Sequence, residues 1–165
     1  MRAVQRGDAA AYHVLFDRHH ERVYGFLLRS TREPEAAADL LQETFLRLYR
    51  RRDAWSEGRP VRPWLFGIAA NAARDRVRQL ARRPEAALPP DDLLPALSLA
   101  PHDRLDLDAA IAALPGPYRD AFLLGVVEGF DHTEVAALLG ISPDNARARI
   151  SRARAALRAA LGGPE

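Results

Sequence analysis

Apolar residues recur along this chain at three- and four-residue intervals, the spacing of one buried helix face. Tyr12, Leu15, Phe16, Val23, Phe26 and Leu27 form the first stripe, in a helix that the pattern starts at Asp8, a good N-cap. A break follows at Ser30–Glu33, and Pro34 suits the first turn of a second helix. There the stripe is Ala37, Leu40, Leu41, Thr44, Phe45, Leu48 and Tyr49, with Asp39, Gln42, Glu43, Leu46 and Arg47 largely outside it, and the helix ends near Asp53. Gly58, Pro60 and Pro63 make Trp55–Pro63 a loop. A third helix is predicted from about Pro63, burying Trp64, Leu65, Ile68, Ala69, Ala72 and Leu80 and showing Asn71, Arg74, Arg76, Arg78 and Arg82 on its other faces.

Five prolines between residues 84 and 102 exclude a sustained helix there, so the chain reads as two small helical domains joined by a flexible linker. The expected division is 1–83, linker 84–102, and 103–165. Four short helices are predicted in the second half, over about 103–114, 117–128, 132–139 and 143–161. Asp131 and Glu134 fit a capping box, Gly140 a left-handed helix end, and Ser142-Pro143 a capped start. No alternating strand pattern competes, and the fold class is all-α.

Composition adds charge segregation to this picture. The formal net charge is only +2, and every basic residue is arginine. Residues 45–83 carry eleven arginines against three acids, and residues 142–158 carry five against Asp144 alone. Between them, residues 84–108 carry six acids against one arginine, which makes the linker acidic. Biased codon usage explains arginine in place of lysine but not the clustering. Two basic blocks fit two contacts with a polyanion. Without cysteine there is no disulfide framework or thiolate metal site. The five histidines form no metal-ligand pattern such as HExxH, so neither a metal, a cofactor nor an enzymatic activity is expected. No apolar run approaches the ~20 residues that span a bilayer, and no signal-peptide pattern opens the chain. A cytoplasmic protein without membrane insertion is expected.

The joint at "LGIS" has the parts of a helix-turn-helix. Val135, Ala136 and Leu139 can pack inward, Gly140 permits the turn, Ile141 can plug the gap, and Ala146 and Ile150 can anchor the second helix. Most of Arg147, Arg149, Ser151, Arg152 and Arg154 must then lie outside, where arginine forks can meet phosphates or guanine edges in a major groove. A solvated arginine face is the plainer reading of that helix taken alone.

"LPGPYRDAFLLGVVEGFDHTEVAALLGISPDNARARISRARAAL" resembles region 4 of the extracytoplasmic-function sigma factors of bacterial RNA polymerase. "AAADLLQETFLRLY" resembles the core-polymerase-binding part of their region 2, and "RPVRPWLFGIAANAARDRVR" the part that melts and holds the −10 promoter element. The resemblance spans almost the whole chain in the right order. It implies a subunit that docks on core RNA polymerase, on the clamp coiled coil and the flap of the large subunits, and reads promoter DNA. It implies that Asp39, Gln42, Glu43 and Arg47 form the polymerase-docking face. It implies that Asn71 borders the pocket for a flipped −10 base, while Arg59, Arg62, Arg74, Arg76 and Arg78 track the single strand. Arg147, Arg149, Ser151 and Arg152 fall at positions that face the −35 element, and Ala148 stands where a small polar residue is common. An anti-sigma factor is a further implied partner. The competing expectation is a stand-alone helix-turn-helix regulator whose first half senses a ligand or dimerises.

Overall fold

The computed structural model describes residues 1–80 and 106–162. Every regular element among them is helical, and the chain divides into two compact units, Met1–Arg76 and Val77–Glu165. The linker expected over 84–102, Arg82 and the start of the helix expected from 103 lie outside the described residues.

The first unit is built on the long apolar stripes that the sequence marked. Helix α2 (Ala9–Thr31) starts where the Asp8 carboxylate accepts from the Ala11 amide, and it ends at Arg32 in the left-handed region with φ 64°. Helix α3 (Pro34–Arg50) packs on it. Leu15, Val23, Phe26 and Leu27 from α2 and Ala37, Leu40, Phe45 and Leu48 from α3 are buried. Thr44 is fully buried within this apolar stripe because its hydroxyl donates to the Leu40 carbonyl at 2.6 Å. Phe16 and Phe45 pack ring against ring at 4.7 Å.

Helix α4 (Val61–Leu80) begins two residues before Pro63, which therefore sits in its first turn, where its missing N–H costs no bond. Leu65, Phe66, Ile68, Ala69, Ala72 and Ala73 are buried, with Phe66 edge-on to Phe26 at 5.8 Å. Trp64, expected in the core, is only half-buried; Phe66 fills that role. A short helix α1 (Arg2–Gln5), absent from the sequence reading, precedes α2 and buries Val4 completely. Four residues are too few for periodicity to register.

The second unit comprises α5 (Leu107–Ala113), α6 (Gly116–Phe122), α7 (His132–Leu139) and α8 (Pro143–Ala160). The expected helix over 117–128 is shorter and ends in a π-helical turn, Leu123–Val127. That turn presents Gly125 to α8 so closely that a Cβ there would stand 2.5 Å from Ile150 Cδ1. Arg119 is buried, and its guanidinium donates to the Ala112 and Leu114 carbonyls at 3.0 and 3.2 Å, satisfying the end of α5.

Candidate polymerase and nucleic-acid interfaces

Three faces carry the residues singled out by the sequence. On α3, successive side chains turn by about 100°, which sets Asp39 and Gln42 opposite the buried stripe and Glu43 and Arg47 on its flank, Arg47 beside the Leu40 edge. Asp39 and Gln42 are exposed, and Glu43 and Arg47 are partly so. Arg47 Nε donates to Glu43 Oε1 at 2.6 Å, and its Nη1 lies 3.7 Å from Asp75 of α4. The face is thus an ordered patch whose arginine also bridges two helices. Leu46 lies in its middle, exposed, and supplies an apolar centre between the polar groups.

On α4 the structure separates residues that the sequence grouped. Asn71 and Arg78 are exposed, and Arg74 is half-exposed on the same side, its guanidinium donating to Asn71 Oδ1. Arg62 and Arg76 stand on the opposite side of the helix. Arg62 lies over the Phe66 ring at 5.6 Å, and Arg76 pairs with Glu33 at 3.7 Å. Arg59 is exposed in the loop before α4, where its carbonyl accepts from Trp55 Nε1 at 3.0 Å. The set that α4 brings together on one side is therefore Asn71, Arg74 and Arg78. The two arginines on the other side border the α2 packing. There His19, half-buried, has its pKa held below the ordinary histidine value, chiefly by burial and then by Arg18, Arg62 and Arg22.

In the second unit the helix-turn-helix forms with the expected chemistry. Asp131 accepts from the Thr133 and Glu134 amides at 2.7 and 2.8 Å, and Glu134 returns a bond to the Asp131 amide, completing the capping box. Gly140 adopts φ 67° and ends α7, and the Ser142 hydroxyl accepts from the Asn145 amide to start α8. Ala146, Ala153 and Leu157 are buried.

That burial sorts the arginines of α8. Arg147, Ser151, Arg154 and Arg158 are exposed and follow one another along one face. With Phe130 and His132 they line an open concavity of about 460 Å³. Arg147 sits 3.2 Å from His132 Nε2 and 3.7 Å from Asp144. Arg152 is half-buried on the other flank. Arg149, expected to face DNA, is 9% exposed. It stands beside the buried row of Ala146, Ala153 and Leu157 rather than on the arginine face. The sequence could not separate these positions, because only the packing partners fix which arc of α8 is covered. Arg158 and His132 are the additions that the structure makes, and Arg154, already expected outside the core, joins them on this face.

Among the described residues no group of three or more His, Asp or Glu side chains is placed to hold a metal ion, and no helix is long and apolar enough to cross a membrane.

Two family models match, Sigma-70 region 2 over residues 15–83 and Sigma-70, region 4, over residues 104–157. RNA polymerase sigma factor CarQ of Myxococcus xanthus is 41% identical over 167 residues, covering 98% of this chain and 95% of that protein. ECF RNA polymerase sigma factor SigE of Mycolicibacterium smegmatis is 38% identical, over 92% of this chain and 63% of its own length. ECF RNA polymerase sigma factor SigM of Bacillus subtilis is 33% identical, over 83% of this chain and 86% of its own. Among solved structures, CnrH in complex with the cytosolic domain of CnrY matches with a TM-score of 0.73 at 27% identity, covering 98% of this chain and 94% of that one. The sigma factor RpoE, solved with the anti-sigma factor NepR from Bartonella quintana, matches in fold with a TM-score of 0.75 at 22% identity, covering 94% of this chain and 99% of that one. With both units matched in order and a relative aligned from end to end, the chain belongs to the extracytoplasmic-function sigma factors of bacterial RNA polymerase, which bind core enzyme and promoter DNA and direct transcription initiation.

Proposed function

We propose a division of labour among the three faces. The α3 face of Asp39, Gln42, Glu43 and Arg47, centred on Leu46, docks on core polymerase. The α4 face of Asn71, Arg74 and Arg78, with Arg59 from the preceding loop, holds the melted −10 strand. An amide at Asn71 can both donate to and accept from a flipped base, and the arginines meet phosphates. Helix α8 enters the −35 major groove with Arg147 and Ser151 toward base edges, and Arg154 and Arg158 toward backbone phosphates. The observation that carries this reading is the single exposed row Arg147, Ser151, Arg154 and Arg158 on a helix whose other side is buried. Exposed arginines spread evenly around the helix would support only a solvated surface.

On this reading the two functional regions are 1–83 and 103–165, linked by the acidic segment 84–102. Polymerase supplies the catalysis, the chain acts in the cytoplasm alongside it, and an anti-sigma partner silences it by covering these faces. CnrH, solved with the cytosolic domain of CnrY, and RpoE, solved with the anti-sigma factor NepR, motivate the last point. In vitro transcription with purified core enzyme tests the scheme. Asn71→Ala is expected to impair open-complex formation while leaving core binding intact, and Arg147→Ala to weaken discrimination at −35. Specific operator binding by the chain alone, with no promoter-dependent transcript when core is added, would instead support a stand-alone regulator.

A further inference from the structure

Helix α1 lies outside the matched region 2 model, which begins at residue 15, yet it is tied to the loop that leads into α4. Gln5 Nε2 donates to the carbonyls of Arg52 and Trp55, both at 2.9 Å. Those carbonyls bracket the 3₁₀ turn Arg52–Ala54 that follows α3. Both hydrogens of one amide are thereby spent on a segment about fifty residues away in sequence. The tie continues outward. Trp55 Nε1 donates to the Arg59 carbonyl at 3.0 Å, and the Arg59 amide donates to the Ser56 carbonyl at 3.2 Å. Arg2 pairs with the Glu57 carboxylate. Val4, with no exposed surface, anchors α1 from below.

We propose that α1 is a strap that positions the loop bearing Arg59 for capture of the melted strand, with Gln5 as the positioning residue. The loop contains Gly58 at φ 84° and Pro60 and, apart from the short 3₁₀ turn, makes no helix of its own. External donors therefore limit the conformations it samples, and the entropy of ordering it is spent before DNA arrives. Gln5 does not touch DNA in this scheme; it acts through the Trp55–Arg59 contact. The inference rests on the proposed role of the −10 face.

The test uses holoenzyme assembled from the full chain and core polymerase, with open-complex lifetime measured after a polyanion challenge. Gln5→Met keeps length and removes both donors. It is expected to shorten the lifetime by about fivefold or more, the lower end of what a pair of ordinary hydrogen bonds contributes, with affinity for core unchanged. In an Arg59→Ala background the same substitution should add nothing, because both act through one loop. Arg2→Ala, whose side chain is 65% exposed and thus unable to collapse the core, should shorten the lifetime in the same direction and to a smaller extent. An unchanged lifetime for Gln5→Met, or effects of Gln5→Met and Arg59→Ala that multiply, would overturn the strap. If Gln5→Met lowers the yield of folded protein, the Arg2→Ala and Arg59→Ala pair decides the matter by the same criterion. Should the unsubstituted holoenzyme form no open complex on any promoter, the reading of the −10 face itself fails, and the strap with it.

Discussion

Gly140→Ala should loosen the helix-turn-helix without altering the first unit. Gly140 sits at φ 67° and ψ 38° between α7 and α8, and the Ile141 amide closes the helix end on the Ala136 carbonyl at 3.0 Å. An L side chain in this left-handed conformation costs roughly 1–2 kcal/mol, from the clash of Cβ with the following carbonyl. Alanine also narrows the unfolded ensemble, which offsets some of that by about 0.4–1 kcal/mol. The net loss is therefore about 1 kcal/mol. Hydrogen exchange is the suitable assay, because it reports opening of each helix separately. Amides of α7 and α8 that exchange by opening of the whole unit should exchange about fivefold faster, and those of α2 and α3 at the unchanged rate. Gly140→Asn should lose less, since asparagine tolerates this conformation. Identical exchange in Gly140→Ala and the parent, or equal losses for alanine and asparagine, would refute the reasoning from backbone conformation.

Other outcomes follow from the same contacts. Gly125→Ala should destabilise the second unit because its Cβ meets Ile150 Cδ1, and Ile150→Val, which removes that methyl, should restore part of the thermal stability lost. Arg147→Ala should cost roughly 1–3 kcal/mol in discrimination at one −35 base pair if its fork reads a base, measured by competition binding of holoenzyme to single-base variants. Arg149→Ala should behave differently: buried, it should lower the unfolding temperature and leave the pattern of base preferences unchanged. Burial and neighbouring arginines hold the His19 pKa below 6.5 in the fold. The unfolded chain therefore binds the extra proton first, and stability of the first unit should be complete above about pH 6.5 and decline as pH falls below it. Urea unfolding followed by tryptophan fluorescence, which reports only this unit because both tryptophans lie in it, should show a smaller pH dependence for His19→Asn.

Much of the site was legible because caps and stripes are local. Asp8, Asp131, Gly140 and Ser142 each acted where the sequence pointed, since a cap bonds within its own first turn and an αL end needs only its own residue. The polar face of α3 was legible for a related reason: one clean stripe leaves the rest of the helix, Asp39, Gln42 and Leu46, in solvent. On α4 the same logic worked for Asn71, Arg74 and Arg78 but could not detect that Arg62 and Arg76 turn toward Phe66 and Glu33. Those partners come from another part of the chain or from a different turn. Helix α1 carried no signal at all, being too short for a period.

The sequence by itself determined the all-helical class, the two basic blocks and the position of the helix-turn-helix, because periodicity, capping and charge are properties of neighbours along the chain. Only the tertiary structure decided which arginines of α8 are available. Ala146, Ala153 and Leu157 take one side, Arg149 is covered beside them, and Arg147, Ser151, Arg154 and Arg158 remain outside. Only it showed that Gln5 reaches Arg52 and Trp55. Both outcomes depend on which surfaces meet across long stretches of sequence, and a helix pattern fixes that a face is apolar without fixing how wide an arc its partner covers.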